Sequence, residues 1–156
     1  MKIYPMQALR NLFHFCIVGT LLMGCKTLPI SSIAKGKMEG RVLLQQYNQQ
    51  GVENQTKSQT VSRWVYLFEP STIKDLVNVN DNSCENIHSK KLDSVLSSNN
   101  GVYSFSVAEG KYSILVKEGK GYYIPYFSGS NGVAHVFINA QKLLSLDIII
   151  RSEATY

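Results

Sequence analysis

The sequence predicts an all-β fold, a single antiparallel β-sandwich of about seven strands behind an N-terminal apolar segment. Three observations carry this. After Cys25, no stretch repeats its apolar residues with a helical period. Short runs alternate apolar and polar residues, most clearly Val102 to Val107. Turn signals recur roughly every 8–12 residues, the spacing of a sandwich.

The elements follow in order. Lys2 and Arg10 give a positive start, and Leu12 to Met23 form an apolar run too short for a permanent membrane span. Small Gly24 then precedes Cys25. Residues 26–36 are polar, contain Pro29 and have no period, as a tether would. Residues 37–47 read as the first strand, and 48–60, rich in Gln and Asn, as a loop. In 61–69, Trp64, Tyr66 and Phe68 alternate with Arg63, Val65 and Leu67, so both faces are apolar and the strand belongs mid-sheet. Pro70 ends it. Residues 71–90 have little period and fix no path.

The C-terminal part is clearer. Lys91 to Ser97 is a strand, and Asn99-Asn100-Gly101 is an Asn-Gly turn with room for positive φ. Tyr103, Phe105 and Val107 share a face opposite Ser104 and Ser106. Glu109-Gly110 is a second turn, with Gly110 expected at positive φ. Tyr112, Ile114 and Val116 share a face opposite Ser113 and Lys117. Gly119 and Gly121 mark a third turn. Tyr122 to Phe127, Val133 to Ile138 and Leu144 to Ile150 complete the strands.

Leu21-Leu22-Met23-Gly24-Cys25 resembles the lipobox of bacterial lipoproteins. The resemblance implies that residues 1–24 are a signal peptide removed on maturation and that Cys25 carries lipid, with 25–36 as lipidated cysteine and tether and 37–156 as the domain. The alternatives are an ordinary secretory signal with a chance cysteine, or an uncleaved anchor; the signal-length run ending at the box disfavours both. Two or more acyl chains anchor stably where one does not. Lys26, standing where aspartate would favour the inner membrane, points to the outer membrane.

Asn100 to Val107, Glu109-Gly110-Lys111-Tyr112 and Gly121-Tyr122 resemble the carboxypeptidase regulatory-like domain, well over 91–127 and less over 37–69. The resemblance implies a seven-stranded, transthyretin-like sandwich with no catalytic residues. Ala108, where many members have proline, and the polar insert between Leu76 and Lys90 depart from the pattern.

Removing Lys2 and Arg10 from 16 basic residues leaves 14 against 11 acidic ones, a mild and scattered excess that marks no nucleic-acid surface. Beyond Cys25 only Cys84 remains, so the domain has no internal disulfide and its thiol reads as passive. His88 and His135 show no zinc-ligand spacing, and no GxSxG elbow occurs. Asn78, Asn80, Asp81, Asn82 and Glu85 offer oxygen ligands, but the EF-hand glycine is missing and a polar loop is the plainer reading. No metal, cofactor or enzymatic activity is expected.

The densest aromatic stretch is Gly121 to Phe127. Tyr122, Tyr123 and Tyr126 are the candidate contact residues, with alternation sending some inward and others outward. Pro125 suits an edge or a bend. The expected function is a non-catalytic cell-envelope module serving an envelope protein complex and held to the membrane through Cys25. The second reading is a carbohydrate-binding surface on those tyrosines.

Overall fold

A computed structural model describes residues 34–47 and 57–153. The signal segment, Cys25, the tether up to residue 33 and loop residues 48–56 lie outside the described residues. In chain order come β1 (Lys35–Tyr47), β2 (Lys57–Thr60) and β3 (Trp64–Phe68). A 3-10 turn (Ile73–Asp75) leads to β4 (Leu76–Asn80), β5 (Ser83–Ile87) and β6 (Lys91–Leu96). Then follow β7 (Val102–Ala108), β8 (Gly110–Glu118), β9 (Gly121–Tyr123), β10 (Phe127–Ser128) and β11 (Gly132–Val133). The last are β12 (His135–Ile138), β13 (Leu143–Ser145) and β14 (Ile148–Glu153).

The strands form two layers. One is a five-stranded sheet organised on β1. There β1 pairs antiparallel with β2 and β7, and parallel with β13 and β14. The other is a seven-stranded sheet in the order β4-β5-β9-β8-β3-β6, with β12 also paired to β8. Strands β10 and β11 form a separate small hairpin. Alternation decides what lies between the layers. Met38, Val42, Tyr103, Phe105, Ile148 and Ile150 come from the first sheet, and Val65, Leu67, Ile114, Val116 and Val136 from the second. All belong to one buried cluster. The all-β sandwich expected from the sequence is what the chain forms.

Local chemistry explains the turns. Gly101 has φ +73°, and its N–H donates to Ser98 O at 2.8 Å, closing the expected Asn-Gly turn. Gly119 has φ +53° between β8 and β9. Gly110 departs from expectation: its φ is not positive, because it already lies in the β8 ladder opposite Ile138 and Glu109 makes the turn. Ser113 lies on the face of β8 opposite Ile114, as its alternation predicts. Ser113 is fully buried like its neighbours Ile114, Leu115 and Val116, because both faces of β8 are covered.

The stretch 71–90 resolves into the 3-10 turn and the β4–β5 hairpin. Asp81, with φ 48°, starts its two-residue connection, a conformation that Asp and Asn tolerate better than most. The 3-10 turn is held by Asp75 Oδ2, which accepts from Thr72 N–H at 2.7 Å and from Thr72 Oγ1 at 2.9 Å. The backbone bond, then the hydroxyl, holds the Asp75 carboxyl below its usual range. A lowered pKa stabilises the fold above the unfolded-state value and loses that contribution as pH falls through the folded one. Asp75→Asn is therefore expected to flatten the acid limb of stability below about pH 4, while changing neutral-pH stability by less than about 1 kcal/mol at this exposed site. Urea titrations at stepped pH would check this.

Candidate ligand-contact face

The outward face of the seven-stranded sheet carries an aromatic row. In β3, residues 64, 66 and 68 lie on the face opposite 65 and 67, which point between the two sheets. Trp64 is 45% exposed, Tyr66 is half-buried and Phe68 is buried. Ring centroids are 6.3 Å apart from Trp64 to Tyr66 and 6.2 Å from Tyr66 to Phe68. Tyr122 of β9 meets Tyr66 and Phe68 edge-on, at 5.5 and 5.7 Å with both interplanar angles 88°. These edge-to-face contacts fix the rings.

Lysines cap this row. Lys117 Nζ lies 4.7 Å from the Tyr122 centroid, and Lys91 Nζ lies 5.4 Å from that of Tyr66. The β3–β8 register sets Val65 opposite Val116 and Tyr66 opposite Leu115, so Trp64 and Lys117 are the next residues beyond the last pair on these neighbouring strands. Lys117 Nζ also donates to Lys120 O at 2.7 Å. At the end of this row, Arg63 Nε and Nη2 donate to the two Glu118 carboxylate oxygens at 2.7 and 3.3 Å, and this hydrogen-bonded pair raises the Arg63 pKa. Leu96 is 51% exposed on the outer strand β6, so the apolar strip reaches the sheet edge.

Two grooves flank Tyr122. The larger, 410 Å³, is lined by Val77, Glu85, Asn86, Lys117, Lys120 and Tyr122. The smaller, 300 Å³, includes Cys84, Glu118 and Tyr123. Glu85 is engaged: Asn78 Nδ2 donates to its Oε2 at 2.6 Å across the β4–β5 hairpin. The residues considered for calcium are thus part of a hairpin with a cross-strand pair.

The three candidate tyrosines part company. Tyr122 lies on the outward face, and burial, then Tyr66 and Cys84, raises its pKa. Tyr123 is buried in the core, where its hydroxyl oxygen accepts from Arg151 N–H at 3.3 Å. Tyr126 is half-buried and donates its O–H to His135 O at 2.9 Å. Trp64 and Tyr66, which sequence reading assigned only to a central strand, stand in the row instead. Their signal was the apolar outward face of β3.

The remaining chemistry-bearing residues lie apart from one another. His135 Nε2 is 2.8 Å from Ser71 O, and His88 is exposed. Burial pushes the Cys84 thiol up against an opposing pull from the Lys117 charge, so it stays protonated at neutral pH. Among the described residues, no group of three or more His, Cys, Asp or Glu could hold a metal. No helix among them is long and apolar enough to cross a membrane.

The other end of the outward face is closed by the segment before β12. Buried Ser113 Oγ donates to Val133 O at 2.6 Å and accepts from Ser71 N–H at 2.9 Å. Ser113→Ala would leave both backbone groups without that partner, at an expected cost of about 2–3 kcal/mol. Urea unfolding would read the loss. Trp64 emission in the native state should stay unchanged.

Against known proteins, no family model matches the sequence, and no curated protein matches it. Among solved structures, the minor pilin GBS52 of Streptococcus agalactiae is similar over 79% of this chain at 15% identity, with a TM-score of 0.42. The match covers 47% of the pilin chain, about half its length. At these values it assigns neither family nor function.

Proposed function

We propose that this chain is a non-catalytic binding module of the cell envelope, tethered through lipidated Cys25, with the outward face of its seven-stranded sheet as the contact surface. The observation that carries the reading is the row of Trp64, Tyr66 and Tyr122, kept partly exposed and fixed by ring contacts. Burying such rings against a partner is strongly favourable, and aromatic residues dominate contact energetics. The lipobox resemblance supports the anchor, and the regulatory-like domain resemblance supports a module without catalytic residues. His135 is engaged with the Ser71 carbonyl and Cys84 is buried, in keeping with a role other than catalysis.

The test uses the full-length protein purified from its native membrane with a tag after Tyr156. Mass spectrometry should find an acylated N-terminal Cys25 peptide. The protein should bind the isolated envelope fraction, and Trp64→Ala with Tyr122→Ala should lose that binding. Leu143→Ala, an exposed change on the other sheet, should keep it. Unmodified Cys25 in an uncleaved chain contradicts the anchor. Equal envelope binding by all variants contradicts the contact face.

A further inference from the structure

From the charge and shape beside Tyr122, we infer that this face takes an acidic polysaccharide, a chain of sugars bearing carboxylates. The inference rests on the contact-face reading above and names the class of ligand.

Charge comes first. Lys91, Lys117 and Lys120 stand on or beside the aromatic row, and no carboxylate pairs with any of them among the described residues. The nearby acids are committed. Glu118 holds Arg63, Glu85 accepts from Asn78, and Asp93 Oδ1 accepts from Ser94 N–H at 2.7 Å. The 410 Å³ groove contains two lysines and one engaged carboxylate, so its balance is positive. An anionic occupant would supply the missing counter-charges.

Shape separates a glycan from other anions. The face combines a row of rings, tilted by 37° from Trp64 to Tyr66 and edge-on at Tyr122, with a polar groove between the β4–β5 hairpin and the β8–β9 turn. A planar ring presents apolar surface to the C–H face of a sugar, while Tyr hydroxyls and the Asn86 amide offer hydrogen bonds at its rim. Trp64 and Lys117 adjoin the paired residues Val65 and Val116 on neighbouring strands, and the Lys117 ammonium caps Tyr122, so a chain of sugars resting on the indole can bring a carboxylate to that ammonium. A bilayer surface is too broad to enter a groove bounded by a hairpin and a turn. A single phosphate would use the lysines and leave the ring row idle.

The test places the full-length lipidated protein in nanodiscs of neutral phosphatidylcholine and titrates it with tetragalacturonate. The control is the same oligomer fully methyl-esterified, which keeps the sugar chain and removes its charge. Calorimetry and Trp64 emission read binding. The acid form should bind and shift Trp64 emission, and it should weaken as NaCl rises from about 0.05 to about 0.5 M. The esterified form should bind at least about tenfold more weakly. Lys117→Ala with Lys120→Ala should lose a similar factor with an unchanged melting temperature.

Equal binding of both forms overturns the acidic-ligand inference and leaves the contact face standing. No binding of either form, with envelope binding still dependent on Trp64, does the same. Recruitment to nanodiscs of anionic phosphatidylglycerol, lost in the lysine variant and without binding of tetragalacturonate, overturns it in favour of a lipid headgroup. Envelope binding insensitive to Trp64→Ala brings down the contact-face reading as well.

Discussion

Gly40→Val is expected to abolish folding. Gly40 lies on the inward face of β1, where the chain changes from pairing with β13 to pairing with β14. The two residues between those strands, Leu146 and Asp147, cross beside it. Leu146 N–H donates to Glu39 O at 2.9 Å, and Asp147 Oδ1 accepts from Arg41 N–H at 2.8 Å. Tyr103, opposite Gly40 on β7, donates its hydroxyl to Leu146 O at 2.6 Å. A Cβ at position 40 would be driven into that Leu146 carbonyl oxygen, which is backbone and cannot turn aside. The substitution therefore separates β1 from the link that closes the five-stranded sheet. Against a usual total stability of about 5–15 kcal/mol, losing this closure leaves little folded protein. A collapsed amide dispersion in an NMR spectrum would show it. Gly119→Ala is the contrast. Its Cβ meets nothing within 4 Å, and only φ of +53° opposes it, at about 1–2 kcal/mol.

Phe105→Ala should cost about 3–5 kcal/mol. Phe105 is 3% exposed, faces Met38 of β1 and packs against Tyr103 with centroids 6.0 Å apart. Removing its ring leaves a cavity among residues held by the β1–β7 ladder, so the site cannot readily collapse. The urea midpoint should fall sharply with little change in slope. A loss below about 1 kcal/mol would mean that the core packs differently. Ser104→Ala, on the exposed side of the same strand, should be nearly neutral.

Residues with strong local signals were legible in the sequence. Strand β7 alternates cleanly, and Gly101 marks its turn, because both depend on neighbours close in the chain. The parallel pairing of β1 with β13 and β14 joins residues about a hundred positions apart, and no local pattern encodes it. The β4–β5 hairpin was hard to read because Leu76, Val77 and Val79 give its first strand no clean alternation and its second strand, Ser83–Ile87, is mostly polar. Its turn at Asp81-Asn82 is a local signal, but it lies in a polar stretch with no period on either side. For the contact face, the apolar outward positions of β3 could be read, but their exposure could not. Whether Trp64 meets solvent depends on which segment covers that side of the sheet. The segment pinned by Ser113 covers the His135 end and leaves the Trp64 end open. Tyr122 and Tyr123 followed the alternation expected for adjacent strand residues, one outward and one inward.

Trp64 is the only tryptophan in the chain, and it stands on the face through which binding is proposed. Full-length protein labelled with 5-fluorotryptophan therefore gives one fluorine resonance, located at the proposed contact. The most direct measurement titrates this protein with the isolated envelope polysaccharide fraction while binding is followed independently by sedimentation. The expected result is a saturable shift or broadening of the Trp64 resonance that tracks the bound fraction. Saturable binding with the Trp64 resonance unmoved would contradict the central claim and place the contact elsewhere on the molecule.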